Sequence, residues 1–545
     1  MATEIITEVI KYVCQYLLHK YDKDSREKII TEINKIANIN CNDYLFDSNR
    51  SLGYSDLQNI LANLNEKEII RKERGVYYTP SDLVKFIVIN SIKSAYGKLK
   101  PNNLHVMDLN GVPYKSFCTG KRIFDPTCGA GEFLLAALEI KFDLMDSHRE
   151  SVGKTTIQTM VSTIYGNDIN PDSITITKIR ILLCVLKRYG ISKIKGIADV
   201  INPNFTTIDF ITTQNNEDTY DIIVGNPPYV EDTKSDLEPS IKYGNIYGNV
   251  LDNSANILSD KGCIGFVIPL SYVSTLRMKT LRQTLSQLVK EQYILSFSDR
   301  PDCLFTSVHQ KLCVLFGKKR NIADSVVYTG NYKYWYNAER NNLFENLQSI
   351  KNNYVVEEYI PKLGTTYDVS IYKKIIGFKK SISDLFNGEG NEIYLNMRAA
   401  FWVKAFMEEH TGAEYKVFNC NSDNDKYLAH CLLNSSLFWW YWICVSDCWH
   451  ITQKELNSFS IPSINDYNQV RILAENLEQK LEITKLYVGT KQTEYEYKHK
   501  NCTDEIHAID DYINNLYGLT EQESLYIKDF AYRYRVGGGV ENEGN

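Results

Sequence analysis

The chain has 545 residues, of which 43% are hydrophobic and 23% charged, as in an ordinary globular protein with two or three separate cores. Its net charge of −6 excludes a globally basic surface, so any contact with nucleic acid must use a local group of cations. No apolar run is long enough to span a bilayer and no signal peptide is evident, so we expect a cytoplasmic protein without a membrane partner.

The 13 cysteines include no C-x-x-C pair, and several lie inside apolar runs, which is typical of buried thiols in a reducing compartment. The densest group is Cys444, Cys448 and His450, with His430 and Cys431 upstream. These residues follow no familiar spacing of metal ligands. We therefore predict no metal site.

Residues 1–74 have the pattern of a small helical extension. Apolar side chains recur at helical spacing in its first helix, at Ile6, Val9, Ile10, Val13 and Leu17. A second, more charged helix follows and ends near residue 39.

From residue 75 to residue 319, short β-rich runs alternate with helices. Strands are predicted at 122–125, 162–167, 220–224, 262–269 and 311–316, and helices at 133–144 and up to residue 186. This alternation is typical of a largely parallel sheet with helices on both faces. Because ligands bind such sheets at the carboxyl ends of the strands, the residues that follow each strand are candidate site residues.

The first candidate is the turn from Asp125 to Gly131, which joins a predicted strand to a predicted helix. Gly129 and Gly131 allow a ligand to approach the backbone closely. In a nucleotide site this turn would face a pyrophosphate, which Asp125 would repel. The cationic amino group of S-adenosylmethionine matches a carboxylate better. The turn, including Thr127, is therefore predicted to bind the methionine part of that cofactor.

Acidic residues follow two later strands and are predicted to bind the ribose and the adenine of the same cofactor. Asp168 can accept hydrogen bonds from both ribose hydroxyls while Ile169 packs on the adenine ring. The alternative is that Asp168 only caps the helix that follows. Asp209 is predicted to accept from the adenine amino group, with Phe210 covering the face of the ring. Their position in the chain between Asp168 and residue 226 favours this role.

The strongest motif is Asn226-Pro227-Pro228-Tyr229, the predicted catalytic loop, which follows the strand at 220–224. The two prolines fix the backbone and remove donors, so that rigid carbonyls point outward. The side-chain oxygen of Asn226 and the carbonyl of Pro227 can each accept a hydrogen bond from one planar amino group, which directs the nitrogen lone pair toward a methyl donor. Tyr229 is then expected to stack on an extruded base.

These motifs resemble those of the adenine-N6 DNA methyltransferases of restriction-modification systems, in which cofactor motifs precede the catalytic loop and a target-recognition domain comes last. The resemblance implies a Rossmann-like doubly wound methyltransferase sheet, an α+β target-recognition domain and helical extensions. It implies S-adenosylmethionine as cofactor and the N6 amino group of a flipped adenine in double-stranded DNA as acceptor. A separate cognate restriction endonuclease is the implied partner.

Further residues are assigned by the resemblance alone. The stretch 75–80 looks like the family's first cofactor motif, which places Tyr77 and Thr79 in the cofactor pocket. Phe305 falls where the family carries a second aromatic residue that stacks on the extruded base. The stretch 244–247, Gly-Asn-Ile-Tyr, departs from the Asp-Leu-Tyr usual at this point, so the detailed shape of the base pocket is expected to differ more than the chemistry.

After residue 319 the alternation ends, and aromatic and basic residues become dense. We predict a target-recognition domain at 320–467, with candidate DNA contacts at Tyr332-Lys333-Tyr334-Trp335-Tyr336, Arg398, Trp402 and Lys404. Core packing is expected for most of these aromatic residues, and 438–442 is predicted to be core. The apolar run 431–445 is predicted to be a buried helix. A helical region is predicted at 468–534 and a disordered tail at 535–545.

Several other functions are compatible with the motifs. The same tetrapeptide occurs in compact enzymes that methylate a glutamine side-chain amide of release factors, whereas a long chain follows residue 319 here. Adenine in RNA presents the same amino group. A methylase-like DNA-binding subunit of a defence complex would keep the fold without turnover; the intact cofactor motifs disfavour it and 244–247 favours it. Residues 1–74 look too short and too helical for a fused nuclease, which favours a stand-alone modification enzyme.

Overall fold

The computed structural model describes residues 3–39, 51–64, 79–212, 218–235, 237–305, 309–464, 466–489 and 494–537. A central sheet has the strand order β3-β2-β1-β4-β5-β7-β6-β8-β9. Its strands are β1 (Ile123–Asp125), β2 (Ile164–Asn167), β3 (Phe205–Thr206), β4 (Tyr220–Gly225), β5 (Leu258–Pro269), β6 (Glu291–Phe297), β7 (Leu312–Lys318), β8 (Val326–Lys333) and β9 (Ile350–Lys351). Neighbours are parallel except where β7 or β9 takes part. The predicted α/β class is confirmed.

The predicted strands correspond to β1, β2, β4, β5 and β7. The sequence pattern does not predict β6, because Gln292 and Ser296 interrupt its apolar run. Both side chains are nevertheless buried in the sheet, at 2% exposure each. A strand covered on both faces is therefore harder to recognise when polar residues are buried with it.

The described residues of the N-terminal extension are mostly helical. It contains α1 (Glu4–Lys20), α2 (Lys23–Ala37) and α3 (Tyr54–Asn63). Thr3 and Asp22 cap the first two helices by accepting from Ile6 N and Ser25 N. The described residues of this extension pack on the helices of the sheet rather than forming a core of their own.

Ten further helices belong to the sheet region. They are α4 (Ser81–Ala95), α5 (Tyr114–Gly120), α6 (Glu132–Asp146), α7 (Lys154–Val161), α8 (Pro171–Tyr189), α9 (Ile191–Ile194), α10 (Ile197–Ile201), α11 (Tyr247–Asn256), α12 (Ser271–Ser274) and α13 (Lys279–Leu288). Successive strand residues alternate between two cores: in β4, Ile222 and Val224 belong to one and Ile223 to the other. The first core is shared with α1–α10 and the second with α11–α13, so both faces of the sheet are covered.

The sheet extends beyond residue 319, so the predicted domain boundary at 319/320 is wrong. β8 pairs in parallel with β6, and β9 pairs with β8. β8 lies near the sheet edge, where alternate residues stay half-buried, so the apolar run that marks the inner strands is missing. Tyr332, Tyr334 and Trp335 are at most 7% exposed, so the core packing expected for most of these aromatic residues holds for these three rings.

The C-terminal part combines short antiparallel strands with helices. Its strands are β10 (Lys380–Ser381), β11 (Asn391–Asn396), β12 (Lys404–Phe406), β13 (Tyr415–Cys420), β14 (Ser460–Ile461), β15 (Leu486–Tyr487) and β16 (Tyr495–Glu496), with β11 between β12 and β13. Its helices are α14 (Thr366–Ile375), α15 (Asp423–Asn434), α16 (Ser436–Val445), α17 (Gln453–Ser458), α18 (Tyr467–Thr484), α19 (Thr503–Leu516), α20 (Glu521–Asp529) and α21 (Tyr532–Val536). Among the described helices, none is both long and apolar enough to cross a membrane.

Two predictions for the C-terminal part need correction. The apolar run 431–445 belongs to two helices, because Ser435 ends α15 and caps α16 by accepting from Phe438 N at 3.1 Å. The predicted disordered tail is wrong at its start, because Arg535 lies in α21 and is 4% exposed. Its guanidinium lies 3.9 Å from the ring centre of Trp402 and 4.3 Å from that of Trp439, where cation–π attraction holds it. Residues 538–545 lie outside the described residues.

Candidate active site

The carboxyl ends of β2, β1 and β4 lie side by side at one edge of the sheet, because these strands are parallel neighbours. This edge brings together Asp125, Asp168 and Asn226, which lie far apart in sequence. β3 is the next strand beyond β2, and the segment after it adds Asp209. The fold therefore places the candidate residues of four loops at one edge.

Asp125 ends β1 and is 1% exposed. Its Oδ1 accepts from the backbone N–H of Thr127 at 3.0 Å, which folds the turn back onto the strand. A Cβ at Gly225 would lie 2.8 Å from the same oxygen, so glycine at this position lets the end of β4 approach the carboxyl group. Burial, together with the negative charge of Asp168, raises the pKa of Asp125 well above its usual range. A cation bound beside Asp125 would lower the free-energy cost of ionising this buried carboxyl group.

The glycine turn adopts a backbone conformation that favours glycine. The φ angle is +51° at Gly129 and +89° at Gly131. Thr177 of α8 supports the turn by donating to the Gly129 carbonyl at 2.8 Å, and its Cγ2 would lie 2.6 Å from a Cβ at Gly131. The hydroxyl oxygen of Thr127 is buried without a hydrogen-bond partner among the described residues, which makes it a candidate ligand contact.

Asp168 connects the end of β2 to the glycine turn. Its Oδ2 accepts from Gly129 N at 2.8 Å and its Oδ1 from Asn170 N at 2.9 Å. The N-cap of α8 is Asn170, so the alternative in which Asp168 is that cap is wrong. Ile169 is 56% exposed, which leaves an apolar surface open next to the carboxylate.

Sequence reasoning missed Asn167, which holds three loops of this edge together. It is 1% exposed, and its Nδ2 donates to the carbonyls of Pro126 at 3.0 Å and Ile208 at 3.1 Å. Its Oδ1 accepts from the Thr206 hydroxyl at 2.8 Å and from Ile208 N at 3.1 Å. A polar residue at the end of a buried strand was the available signal, because a buried amide must be paired.

Asp209 and Phe210 make local contacts in this structure. Asp209 accepts from Ile211 N at 2.9 Å and from the hydroxyl of Thr212. Phe210 is 8% exposed, and its ring lies 5.7 Å from that of Phe124 in the core. Their predicted contacts with the cofactor's adenine stay predictions.

The side chain of Asn226 is held from both ends. Its Nδ2 donates to the hydroxyl oxygen of Thr79 at 3.0 Å, and its Oδ1 accepts from the hydroxyl of Tyr229 at 2.5 Å. Thr79 is 5% exposed and lies just before α4. Thr79, which the resemblance assigns to the cofactor pocket, thus also contacts Asn226, the predicted catalytic residue.

The hydroxyl of Tyr229 lies between two acceptors, because the carbonyl of Val267 in β5 is 3.0 Å away. A phenol has one proton, so the two oxygens compete for it. In this state Tyr229 takes one of the two acceptor positions of the Asn226 oxygen, which is predicted to accept from the acceptor amino group. An incoming amino group would share this oxygen with the hydroxyl or shift the hydroxyl toward the Val267 carbonyl.

A cleft of about 490 Å³ opens beside Tyr229. Three cations (Lys234, Arg277, Lys311) and two acids (Glu231, Asp447) line it. Its wall includes residues after β4, residues before β7 and Trp449 from the C-terminal part, so both halves of the chain contribute to it.

The stretch 244–247 closes the loop that follows Tyr229. Gly244 N donates to the Asp232 carboxylate at 2.6 Å, and Ile246 N donates to the Val230 carbonyl at 2.9 Å. Asn245 is 6% exposed and lines the cleft. The stretch that departs from the pattern of the resembling enzymes thus contributes Asn245 to the wall of the cleft, and its backbone N–H groups still hold the loop after Tyr229 in place.

Other predicted site residues are not brought to the cleft. Phe305 is 1% exposed in the core shared with α4, so stacking on a base would require this segment to move. Lys404 donates to the Tyr497 carbonyl at 3.0 Å, and Trp402 donates to the Arg535 carbonyl at 3.3 Å. Tyr77 lies outside the described residues. The described ranges contain no group of three His, Cys, Asp or Glu side chains that could hold a metal ion.

Comparison with known proteins relates the central part of the chain to restriction-modification methylases. Residues 162–303 match the family model of the Eco57I restriction-modification methylase. The chain is 29% identical over 206 residues to the Type II methyltransferase M.BstVI of Geobacillus stearothermophilus, covering 35% of this chain and 36% of the relative. It is 22% identical over 333 residues to the Type II restriction enzyme and methyltransferase RM.Eco57I of Escherichia coli, covering 52% and 32%. The chain thus spans about a third of these relatives.

The solved structures extend the similarity to the C-terminal part, at the level of fold. The Type IIL restriction-modification enzyme MmeI in complex with DNA has a TM-score of 0.52 at 12% identity, covering 92% of this chain and 84% of that chain. The DrdV–DNA complex has a TM-score of 0.50 at 12% identity, covering 79% and 60%. The chain therefore shares the fold of restriction-modification enzymes through both halves.

Proposed function

We propose that the protein transfers a methyl group from S-adenosylmethionine to the N6 amino group of an adenine flipped out of double-stranded DNA. The observation that carries the proposal is Asn226, held at the carboxyl end of β4 between Thr79 and Tyr229 and beside a buried carboxyl at Asp125. This arrangement presents fixed oxygens to a planar amino group, next to a site for a cation.

The residues around the glycine turn fit S-adenosylmethionine. The buried carboxyl of Asp125 matches its amino group, the turn allows close approach, and the Thr127 hydroxyl has no hydrogen-bond partner among the described residues. Asp168 faces the turn, and Ile169 offers an open apolar surface for an adenine ring. When bound, the cofactor supplies an activated methyl group on a sulfonium. The protein's share is to bind and orient it and to exclude water.

At the acceptor side, Asn226 Oδ1 and the Pro227 carbonyl accept the two N–H bonds of the adenine amino group. This holds the nitrogen so that its lone pair faces the methyl group, which is catalysis by positioning and by preorganised dipoles. The Tyr229 hydroxyl moves off Asn226 toward the Val267 carbonyl, and the ring stacks on the base. Methylation makes the amino nitrogen cationic and therefore acidic, so its proton passes to solvent after the transfer and no strong base is needed beforehand.

Two findings favour DNA over a protein amide as the acceptor. The cleft beside Tyr229 is lined by three cationic side chains and is walled by both halves of the chain, which suits contact with a duplex. The relatives in sequence and the fold neighbours are restriction-modification enzymes, two of them solved with DNA. The relative M.BstVI is named as a methyltransferase alone, and on this ground we propose a separate cognate endonuclease as partner.

The decisive experiment is expression in a host that lacks DNA methylation, followed by single-molecule sequencing for N6-methyladenine. One sequence motif methylated to near completion is the expected result, and Asn226→Ala expressed in parallel should leave the DNA unmodified. Unmodified DNA from the wild type, with S-adenosylmethionine still bound by the purified protein, would overturn the proposal. Transfer to RNA or to a glutamine peptide under those conditions would identify the alternative acceptor.

A further inference from the structure

Trp449 is the most exposed of the six tryptophans. Four of the six tryptophans are buried, and Trp402 is half-buried with its indole N–H donating to Arg535. Trp449 is 38% exposed and lies in the wall of the cleft that contains Tyr229. Exposure alone assigns it no function, but its place in the cleft wall puts an aromatic face near the predicted catalytic loop.

The turn that carries Trp449 is held in place by its backbone. Cys448 has a φ of +59°, which is costly for a residue with a side chain. Trp449 N donates to the Asp447 carboxylate at 3.0 Å, and Ile451 N donates to the Met397 carbonyl at 2.7 Å. The cleft residue is therefore presented by a fixed turn.

Cations from both halves of the chain flank the indole. Lys311, from the segment before β7, has its ammonium group 4.0 Å from the ring centre, and Arg398 has its guanidinium 5.2 Å away. Lys311 also forms an ion pair with the buried carboxylate of Asp299 at 3.2 Å, whereas Arg398 is exposed. Arg398 is therefore the cation beside the indole that suits contact with a phosphate backbone.

We propose that Trp449 inserts into the duplex and stacks at the position that the target adenine leaves, while Arg398 contacts an adjacent phosphate. This inference rests on the proposed function. Extrusion of a base removes its stacking on two neighbours, and an enzyme lowers that cost when an aromatic side chain takes the vacated place. Trp449 meets the requirements: it is exposed, rigidly presented, flanked by cations and in the same cleft as Tyr229.

The test compares two DNA duplexes that contain the methylated motif. In one the target adenine is paired with thymine, and in the other it faces an abasic site, so that flipping costs little. Trp449→Ala should lower kcat/KM on the paired duplex by about tenfold or more, since stacking on one base is lost. On the abasic duplex the variant should stay within about twofold of the wild type, which also shows that it is folded. On the paired duplex, kcat/KM of Trp449→Phe should lie between the values of the wild type and of Trp449→Ala.

The matched control is Tyr487→Ala, which removes an aromatic side chain that is 70% exposed and is not part of the cleft. It should change neither rate. Equal losses for Trp449→Ala on both duplexes, or no loss on either, would overturn the insertion role while leaving methylation of DNA intact. If the wild type methylates neither duplex, the proposed function itself has failed, and this inference falls with it.

Discussion

The two halves of the candidate site differ in how far they are prepared for their ligands. Around the predicted cofactor side, Asn167 and Asp168 tie the loops after β1, β2 and β3 into one fixed edge. On the acceptor side, Asn226 is engaged by Tyr229 of its own loop. The cofactor side is thus held by buried hydrogen bonds between loops, whereas the predicted catalytic oxygen is held by a single hydroxyl that has a second acceptor within reach. The following variants separate the two halves.

The largest effect is expected for Asn226→Ala. Removal of one preorganised group at the reacting atom lowers kcat by about 10²- to 10³-fold. The binding of S-adenosylmethionine should stay within about threefold of the wild type, because Asn226 lies on the acceptor side. Radiolabelled methyl transfer and calorimetry measure the two quantities. The control is Asn256→Ala on the exposed surface of α11, and a parallel loss of cofactor binding would contradict the division into two halves.

The next effect concerns Asp125→Asn, which keeps the shape but removes the charge. The affinity for S-adenosylmethionine should fall by about 10- to 100-fold, as expected for loss of a charge-assisted hydrogen bond. Calorimetry on this variant, with Asp218→Asn at an exposed ion pair as control, measures the change. Unchanged affinity in Asp125→Asn would remove Asp125 from the cofactor site.

The same carboxyl predicts a pH dependence. Burial raises the pKa of Asp125 in the ligand-free protein, and a bound cation favours the ionised form. Binding therefore releases a proton, and the affinity of the wild type should rise with pH up to the raised pKa and then level off. Asp125→Asn should abolish that part of the slope. Calorimetry in buffers of different ionisation enthalpy counts the protons exchanged when the cofactor binds. Proton uptake instead of release would contradict the prediction.

Asn167→Ala tests whether the cofactor side is fixed by one buried amide. Loss of its hydrogen bonds to the flanking loops should lower the free energy of unfolding by about 2 kcal/mol and weaken cofactor binding. Chemical denaturation of this variant and of Asn110→Ala, an exposed asparagine, gives the comparison. Equal stabilities would mean that the three loops keep their places independently.

The smallest effect is expected for Tyr229→Phe. It keeps the stacking ring but removes the hydroxyl that occupies Asn226, so KM for DNA should fall by about two- to fivefold, with kcat retained. Tyr229→Ala, which also removes the ring, should raise KM instead. Steady-state kinetics on the methylated motif distinguish them. A large loss of kcat in Tyr229→Phe would show that the hydroxyl acts in the reaction itself.

Much of the site follows from local patterns. The strand before each of Asp125, Asp168 and Asn226 is a short apolar run, and the residue types after it suggest their chemistry. Asn167 was missed because its role depends on loops about 40 residues away on either side. Phe305 was assigned by position in a motif, and no local pattern reveals that its ring is buried.

The sequence by itself determined the α/β class, the strands of the sheet's centre and the loop Asn226 to Tyr229, because periodicity and turn chemistry act over a few residues. Only the tertiary structure decided that the sheet continues to β9, that Tyr229 covers Asn226, and that Trp449 lies between Lys311 and Arg398. These features are contacts between segments distant in the chain, and their energies depend on packing geometry that no local pattern contains. The role proposed for Asn226 can therefore be predicted from the local motif. The surface that would bind the DNA around it is formed by segments distant in the chain and is seen only in the folded protein.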